Sequence, residues 1–198
     1  MAFVDLPAKL DDGICERAIV TLIQGDLTLP AEKLAPGDSM VLAHAEAQEL
    51  KGKGLALLAR TRIPACAPKA RPVPEKKVLR ADKVPALRWA KGTMEAHLDT
   101  PHEVSPELYS GRLAGTASVA EHTHDGSWEI LAAIEASGTF FLDGKEQRLG
   151  PKQIVFIPPG AKHAWKPDAN VTLVAVQMYA PPGPEQRFVA LAQKEAAR

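Results

Sequence analysis

Apolar residues in this chain come only in short runs. Seventeen prolines and fourteen glycines punctuate the 198-residue sequence, and apolar runs of about 4–8 residues between turn signals read as β-strands. The candidates are Ala18–Ile23, Ser39–Ala43, Leu55–Ile63, Tyr109–Leu113, Ser118–His124, Glu129–Glu135, Thr139–Leu142, Gln153–Ile157 and Val171–Tyr179. Helical periodicity is confined to the C-terminus, from Glu185 to about Glu195. Many short strands joined by turns predict an all-β, antiparallel barrel or sandwich, because each strand needs cover on its apolar face. No run approaches the roughly 20 apolar residues of a membrane helix.

The segment from Pro64 to Lys77 holds four prolines and no apolar periodicity, which predicts a stiff, extended linker. It divides the chain into residues 1–63, a linker at 64–77, and residues 78–198. The two sides echo each other. Gly25–Leu29 resembles Gly138–Leu142, and Leu34–Leu42, with its Pro36-Gly37-Asp38 turn, resembles Leu149–Ile157. A duplicated β unit is the simplest account of that repeated order.

The segment His122-Thr123-His124-Asp125-Gly126-Ser127-Trp128-Glu129 carries the chemistry. Residues i and i+2 of a strand share a face, so His122 and His124 project together. Asp125-Gly126-Ser127 is turn chemistry that sends the chain back with Glu129 near the start of a neighbouring strand. Farther on, Pro158-Pro159-Gly160 ends a strand in a sharp turn and His163 re-enters three residues later. Three imidazoles and one carboxylate suit one divalent transition metal, with Fe, Mn, Ni, Cu and Zn all compatible. Three of the chain's six histidines fall in this pattern.

From about Tyr109 to Ala180 the chain resembles the cupin superfamily. The first family motif matches His122-Thr123-His124, four residues, Glu129, then Glu135-Ala136-Ser137-Gly138. The second matches Ile154 to His163 through Pro158-Pro159-Gly160. The resemblance implies a jelly-roll barrel with His122, His124, Glu129 and His163 as metal ligands. Ala136, Lys152 and Pro167 depart from the family pattern in turns, not at ligands. The first half keeps the Pro-Gly-Asp turn and lacks the ligands: Lys9, Asp11, Glu16 and Gln48 stand opposite them by count, and His44 is alone. The expected architecture is therefore bicupin-like, with a truncated, metal-free first half and a short C-terminal helix that docks on the barrel.

Around the site, Phe140, Phe141, Phe156, Trp128 and Trp165 are expected mainly as core. Ala120 and Ala133 leave room for a ligand. Arg112 and Tyr109 lie on the preceding strand, where a guanidinium can bind a substrate carboxylate, although a surface charge is the simpler reading. Gln177 faces the pocket or the core. The segment holding His97 and His102 reads as a surface loop. Trp128, Ile130, Ala132 and Ile134 oppose the pocket side of their strand, so that face also needs cover, from the first half or from a second copy in a homodimer.

Basic and acidic residues balance at 24 each, which gives no electrostatic reason for a nucleic-acid or anionic-membrane partner. The N-terminus lacks a basic start and apolar stretch, so a cytoplasmic protein is expected, with Cys15 and Cys66 as two reduced thiols. Sites of this kind within the superfamily serve dioxygenases, isomerases, epimerases, decarboxylases and lyases. The expectation is a small-molecule oxidoreductase of dioxygenase type, with isomerase or lyase chemistry and non-enzymatic ligand sensing as alternatives.

Overall fold

The computed structural model describes residues 1–11, 13–29, 33–45, 48–66 and 75–197. The chain divides into two compact units, Met1–Val84 with Asp99–Leu108, and Pro85–Leu98 with Tyr109–Arg198. Both are antiparallel β structures, as their short apolar runs require.

The first unit is a six-stranded sheet. Its strands are β1 (Ala2–Leu10), β2 (Gly13–Thr28), β3 (Lys33–Leu34), β4 (Ser39–Ala45), β5 (Gln48–Arg62) and β6 (Glu75–Leu79). Their order is β1-β5-β2-β4-β6, with β3 against the end of β2. Leu10, Val20, Leu22, Leu27, Met40 and Leu50 are fully buried and form its core. Much of the Pro-rich stretch, residues 67–74, lies outside the described residues. Glu75, Lys76 and Lys77, at the end of that stretch, pair with β4 at Ala43, Leu42 and Val41. Gly25, matched in sequence to Gly138, sits inside β2 and opposite Gly54. The Pro36-Gly37-Asp38 turn closes with Asp38 N–H donating to Ala35 O at 3.0 Å. Burial pushes the Asp38 carboxyl upward, but N–H groups of Ala35 and Ala81 and the Arg80 guanidinium outweigh it and hold the group below the usual carboxylate range.

Two expectations change in this unit. Cys15 and Cys66 are joined in a disulfide, with Cα atoms 5.3 Å apart, and are not the two free thiols expected from sequence. The reason is register. Glu16 pairs with Arg62, Ile63 N–H donates to Cys15 O at 2.8 Å, and a turn closed by Cys66 N–H to Ile63 O returns Cys66 to Cys15. Such a bridge persists in oxidising surroundings, so the cysteines no longer support a cytoplasmic setting. The segment Asp99–Leu108 is also no plain surface loop. Asp99, Thr100 and Ser105 are buried and Glu107 pairs with Arg17 at 2.9 Å, while His102 is exposed and His97 belongs to a strand.

The second unit has two sheets. One runs β10 (Val119–His122), β15 (His163–Pro167), β12 (Gly138–Leu142), β13 (Lys145–Leu149). The other runs β14 (Ile154–Ile157), β11 (Trp128–Glu135), β16 (Leu173–Ala180), β9 (Tyr109–Gly115), β8 (Met94–His97), β7 (Leu87–Trp89). This is the jelly-roll arrangement, closed by helix α1 (Gln186–Ala196). Inner positions of both sheets form one core that includes Leu131, Ala133, Phe140, Trp165, Ala175 and Tyr179. At Gly138 a Cβ would lie 2.4 Å from the Trp165 ring, so glycine is what lets that indole lie across β12. Lys152 takes the position where glycine suits the turn and adopts φ 61, a strain of about 1–2 kcal/mol that the rest of the turn offsets. Among the described residues no helix is long and apolar enough to cross a membrane.

Candidate metal centre

Strand pairing brings the two sequence motifs together. β10 and β15 are antiparallel, with His122 directly opposite His163, and their rings lie 4.1 Å apart. β10 stops at His122, earlier than expected, so His124 sits beyond the strand end. It is fixed there by the second motif: Gly160 N–H donates to His124 O at 3.0 Å. Gly160 has φ 77, a left-handed conformation that glycine adopts without steric cost. Glu129 stands on β11 between Ile157 of β14 and Tyr179 of β16. One ligand atom from each of His122, His124, Glu129 and His163 falls within 4.8 Å of the others. All four residues singled out from sequence therefore meet at one point, and among the described residues no second such group gathers.

The hydrogen bonds set the ring tautomers. Nδ1 of His122 lies 2.8 Å from Ala120 O and Nδ1 of His163 lies 3.0 Å from Ala161 O. A carbonyl only accepts, so both Nδ1 atoms carry the proton and both neutral rings turn an Nε2 lone pair inward. Glu129 Oε2 lies 2.9 Å from His124 Nε2 and 3.0 Å from His163 Nε2. These three atoms are buried and have no hydrogen-bond partner. Lone pairs pointed at one another in a buried site are costly unless a cation or a proton sits among them. The donor set thus fits a single divalent ion, whose identity the ligands leave open.

The protonation states of Glu129 and His122 agree with that fit. Burial pushes the Glu129 carboxyl upward, but His124, His163 and Gln177 outweigh it and bring it down to about 2. Burial, helped by the Arg187 charge, lowers His122 to about 4. For His163, burial also lowers proton affinity, yet the neighbouring Glu129 outweighs it and raises the group. At neutral pH Glu129 is ionised and His122 neutral, as metal ligation requires.

Gln177 supports the carboxylate. It lies on β16, diagonal to Glu129, and its Nε2 donates to Glu129 Oε1, leaving Oε2 to face the imidazoles. Gln177→Leu is expected to weaken metal affinity by roughly 10- to 100-fold, as loss of a ligand-orienting partner does. Calorimetric titration with Mn(II) or Ni(II) measures this, and wild-type affinity would reduce Gln177 to a space-filling role.

Beside the four residues opens a cavity of about 350 Å³, within the range of small-molecule sites. Its walls are mainly apolar, including Leu113, Leu131, Phe140, Trp165 and Leu173, and Trp89 stacks on Phe188 at 5.3 Å beside it. Ala120 lines it; Ala133 is buried elsewhere in the core. Phe140 and Trp165 are core as expected, whereas Trp128 and Phe156 are 46% and 48% exposed. Tyr109 stacks on Tyr179 at 5.7 Å. Arg112 does not line the cavity: strand alternation turns Leu113 inward and Arg112 to the other face. The guanidinium that does line it is Arg187, on α1. The sequence marks that helix only as a docking element, so this cavity residue is missed there. One local signal exists, since a cation in a first helical turn opposes the helix dipole.

Residues 112–179 match the family model of the cupin domain. This segment is a cupin domain. Comparison with solved structures finds similarity to a predicted oxalate decarboxylase from Thermotoga maritima, at 20% identity over 54% of this chain and 100% of that one, with TM-score 0.49. A Streptomyces PAC13 variant with uridine is similar at 16% identity over 57% of this chain and 87% of that one, TM-score 0.47. KdgF from Halomonas sp. is similar at 15% identity over 55% of this chain and 97% of that one, TM-score 0.45. Comparison with curated proteins finds no match.

Proposed function

We propose that the cupin domain is a mononuclear metal enzyme acting on a small molecule, with His122, His124, Glu129 and His163 holding one divalent transition metal. The observation that carries this reading is the convergence of three buried, unpartnered polar atoms of His124, Glu129 and His163 on one point beside a cavity. A bound ion of this class supplies Lewis-acid or oxygen-activating chemistry. The residues supply the rest: Glu129 and the imidazoles hold charge and geometry, Gln177 orients Glu129, and the apolar walls exclude water from the reacting molecule. Dioxygenase-type oxidation is favoured, because the lining offers few groups suited to proton transfer apart from the ligands. Glu121 at the cavity supports isomerase or lyase chemistry as the second reading, since an exposed carboxylate can serve as a base. The exposed Trp128 and Phe156, on paired strands β11 and β14, support association of two copies.

The test is metal analysis of purified protein followed by oxygen uptake with Fe(II)-loaded protein against catechol, thiol and diketone compounds. About one metal per chain and oxygen consumption with one of these classes is the expected result. Substrate turnover without oxygen would move the reading to isomerase or lyase chemistry, and failure to retain any divalent ion would end it.

A further inference from the structure

Arg187 is the unspent charge of this cavity. It lies in the first turn of α1 and is half-buried. Among the described residues its close contact is with the ring of Phe188, 5.9 Å from the guanidinium carbon. The carboxylates of Glu185, at the start of the helix, and Glu195, near its end, have other partners. Glu185 Oε2 accepts Gly183 N–H at 2.6 Å and its Oε1 accepts from Gln186, while Glu195 accepts Lys91 N–H at 3.0 Å. Glu121 also lines the cavity, but its side chain is exposed and makes no ion pair with Arg187. Arg187 lines the same cavity as His122, Glu129 and His163.

A half-buried cation in a mainly apolar cavity, with no carboxylate paired to it among the described residues, is poorly solvated on its own. Its position at the start of a helix makes this worse, because the positive end of the dipole favours an anion there. Both costs fall if a ligand brings the anion. A divalent ion together with Arg187 would outweigh the charge of Glu129, even with Glu121 counted, so the occupied cavity remains positive.

We infer that the cavity takes a small carboxylate with an apolar body, its carboxylate on Arg187 and its apolar part against Leu113, Phe140 and Phe188. The planar guanidinium fork matches a carboxylate through paired N–H donors. The assignment rests on the metal-enzyme reading for the ion beside the bound molecule, but Arg187 selects the anion whether or not the ion is bound.

The probes are 3-phenylpropionate and its uncharged amide, titrated calorimetrically into Zn(II)-loaded and chelator-treated protein. Wild-type protein is expected to prefer the carboxylate by about 10- to 100-fold, the size of a hydrogen bond to a charged group. Arg187→Gln should erase that preference while leaving amide binding and Zn(II) affinity within a few-fold of wild type. Arg187→Lys, which keeps the charge and the fold, should retain part of it. Equal binding of the two probes by wild type, failure of the carboxylate to bind, or a preference that survives Arg187→Gln would each overturn the inference. A preference lost on chelation but kept in Arg187→Gln would put the carboxylate on the metal and overturn it as well. If no metal binds but the Arg187-dependent preference holds, the metal reading fails and this one stands.

Discussion

Changing His122 and His124 together to alanine is expected to abolish metal binding nearly completely, whereas Glu129→Gln should leave partial binding. The double change removes two of three imidazoles from a cluster whose ligand atoms lie within 4.8 Å of one another. Glu129→Gln removes the one negative charge but keeps the shape, and it sets an amide where Oε2 lies 2.9 Å and 3.0 Å from two Nε2 atoms. An amide is the weaker ligand for a divalent cation, so a loss of about 10-fold or more is expected, with the imidazoles retaining some ion. Titration with Mn(II) or Ni(II) measures both. Wild-type affinity in Glu129→Gln would remove it from the ligand set and leave a three-histidine centre. As a bystander, the residue would change stability by no more than about 0.5 kcal/mol and metal affinity not at all. It is 4% exposed, however, so a stability cost without a metal effect would mark it as a structural polar group.

Opening the Cys15–Cys66 bridge should remove a large share of the first unit's stability. The bridge spans 51 residues of sequence, and closing a loop of that size in the unfolded chain is worth about 4 kcal/mol in the chain-entropy account. Cys15→Ser with Cys66→Ser, or reductant, is therefore expected to lower the thermal midpoint of that unit by roughly 15 °C or more. The metal ligands belong to the other unit, so their affinity is expected to stay within a few-fold. A thermal midpoint indifferent to reductant would mean that the two cysteines are unpaired in solution.

The bridge also shows where sequence reasoning stops. Cys15 and Cys66 are distant in the chain, and nothing local to either marks the other as partner. Their meeting depends on the register of β2 against β5, which places Glu16 opposite Arg62. Register is set by which face of each strand is buried, a property of the assembled sheet. The same limit hid the strands β1, β3, β6, β7, β8, β13 and β15. Lys145–Leu149 is polar except at its end, and becomes a strand because Gly138–Leu142 offers a free edge beside it.

The sequence alone determined the strand-rich class, the jelly-roll kinship of the second half and the identity of the four converging residues. It could do so because turn residues and strand alternation are local rules, and because the two motifs carry their spacing within a few residues. Only the tertiary structure decided what surrounds that cluster. It paired His122 with His163, set Gln177 against Glu129, and turned Arg112 away from the cavity. It brought Arg187 in from a helix 24 residues beyond His163. Each of these depends on which strand neighbours which, and that is settled by burying a shared core, not by any one segment.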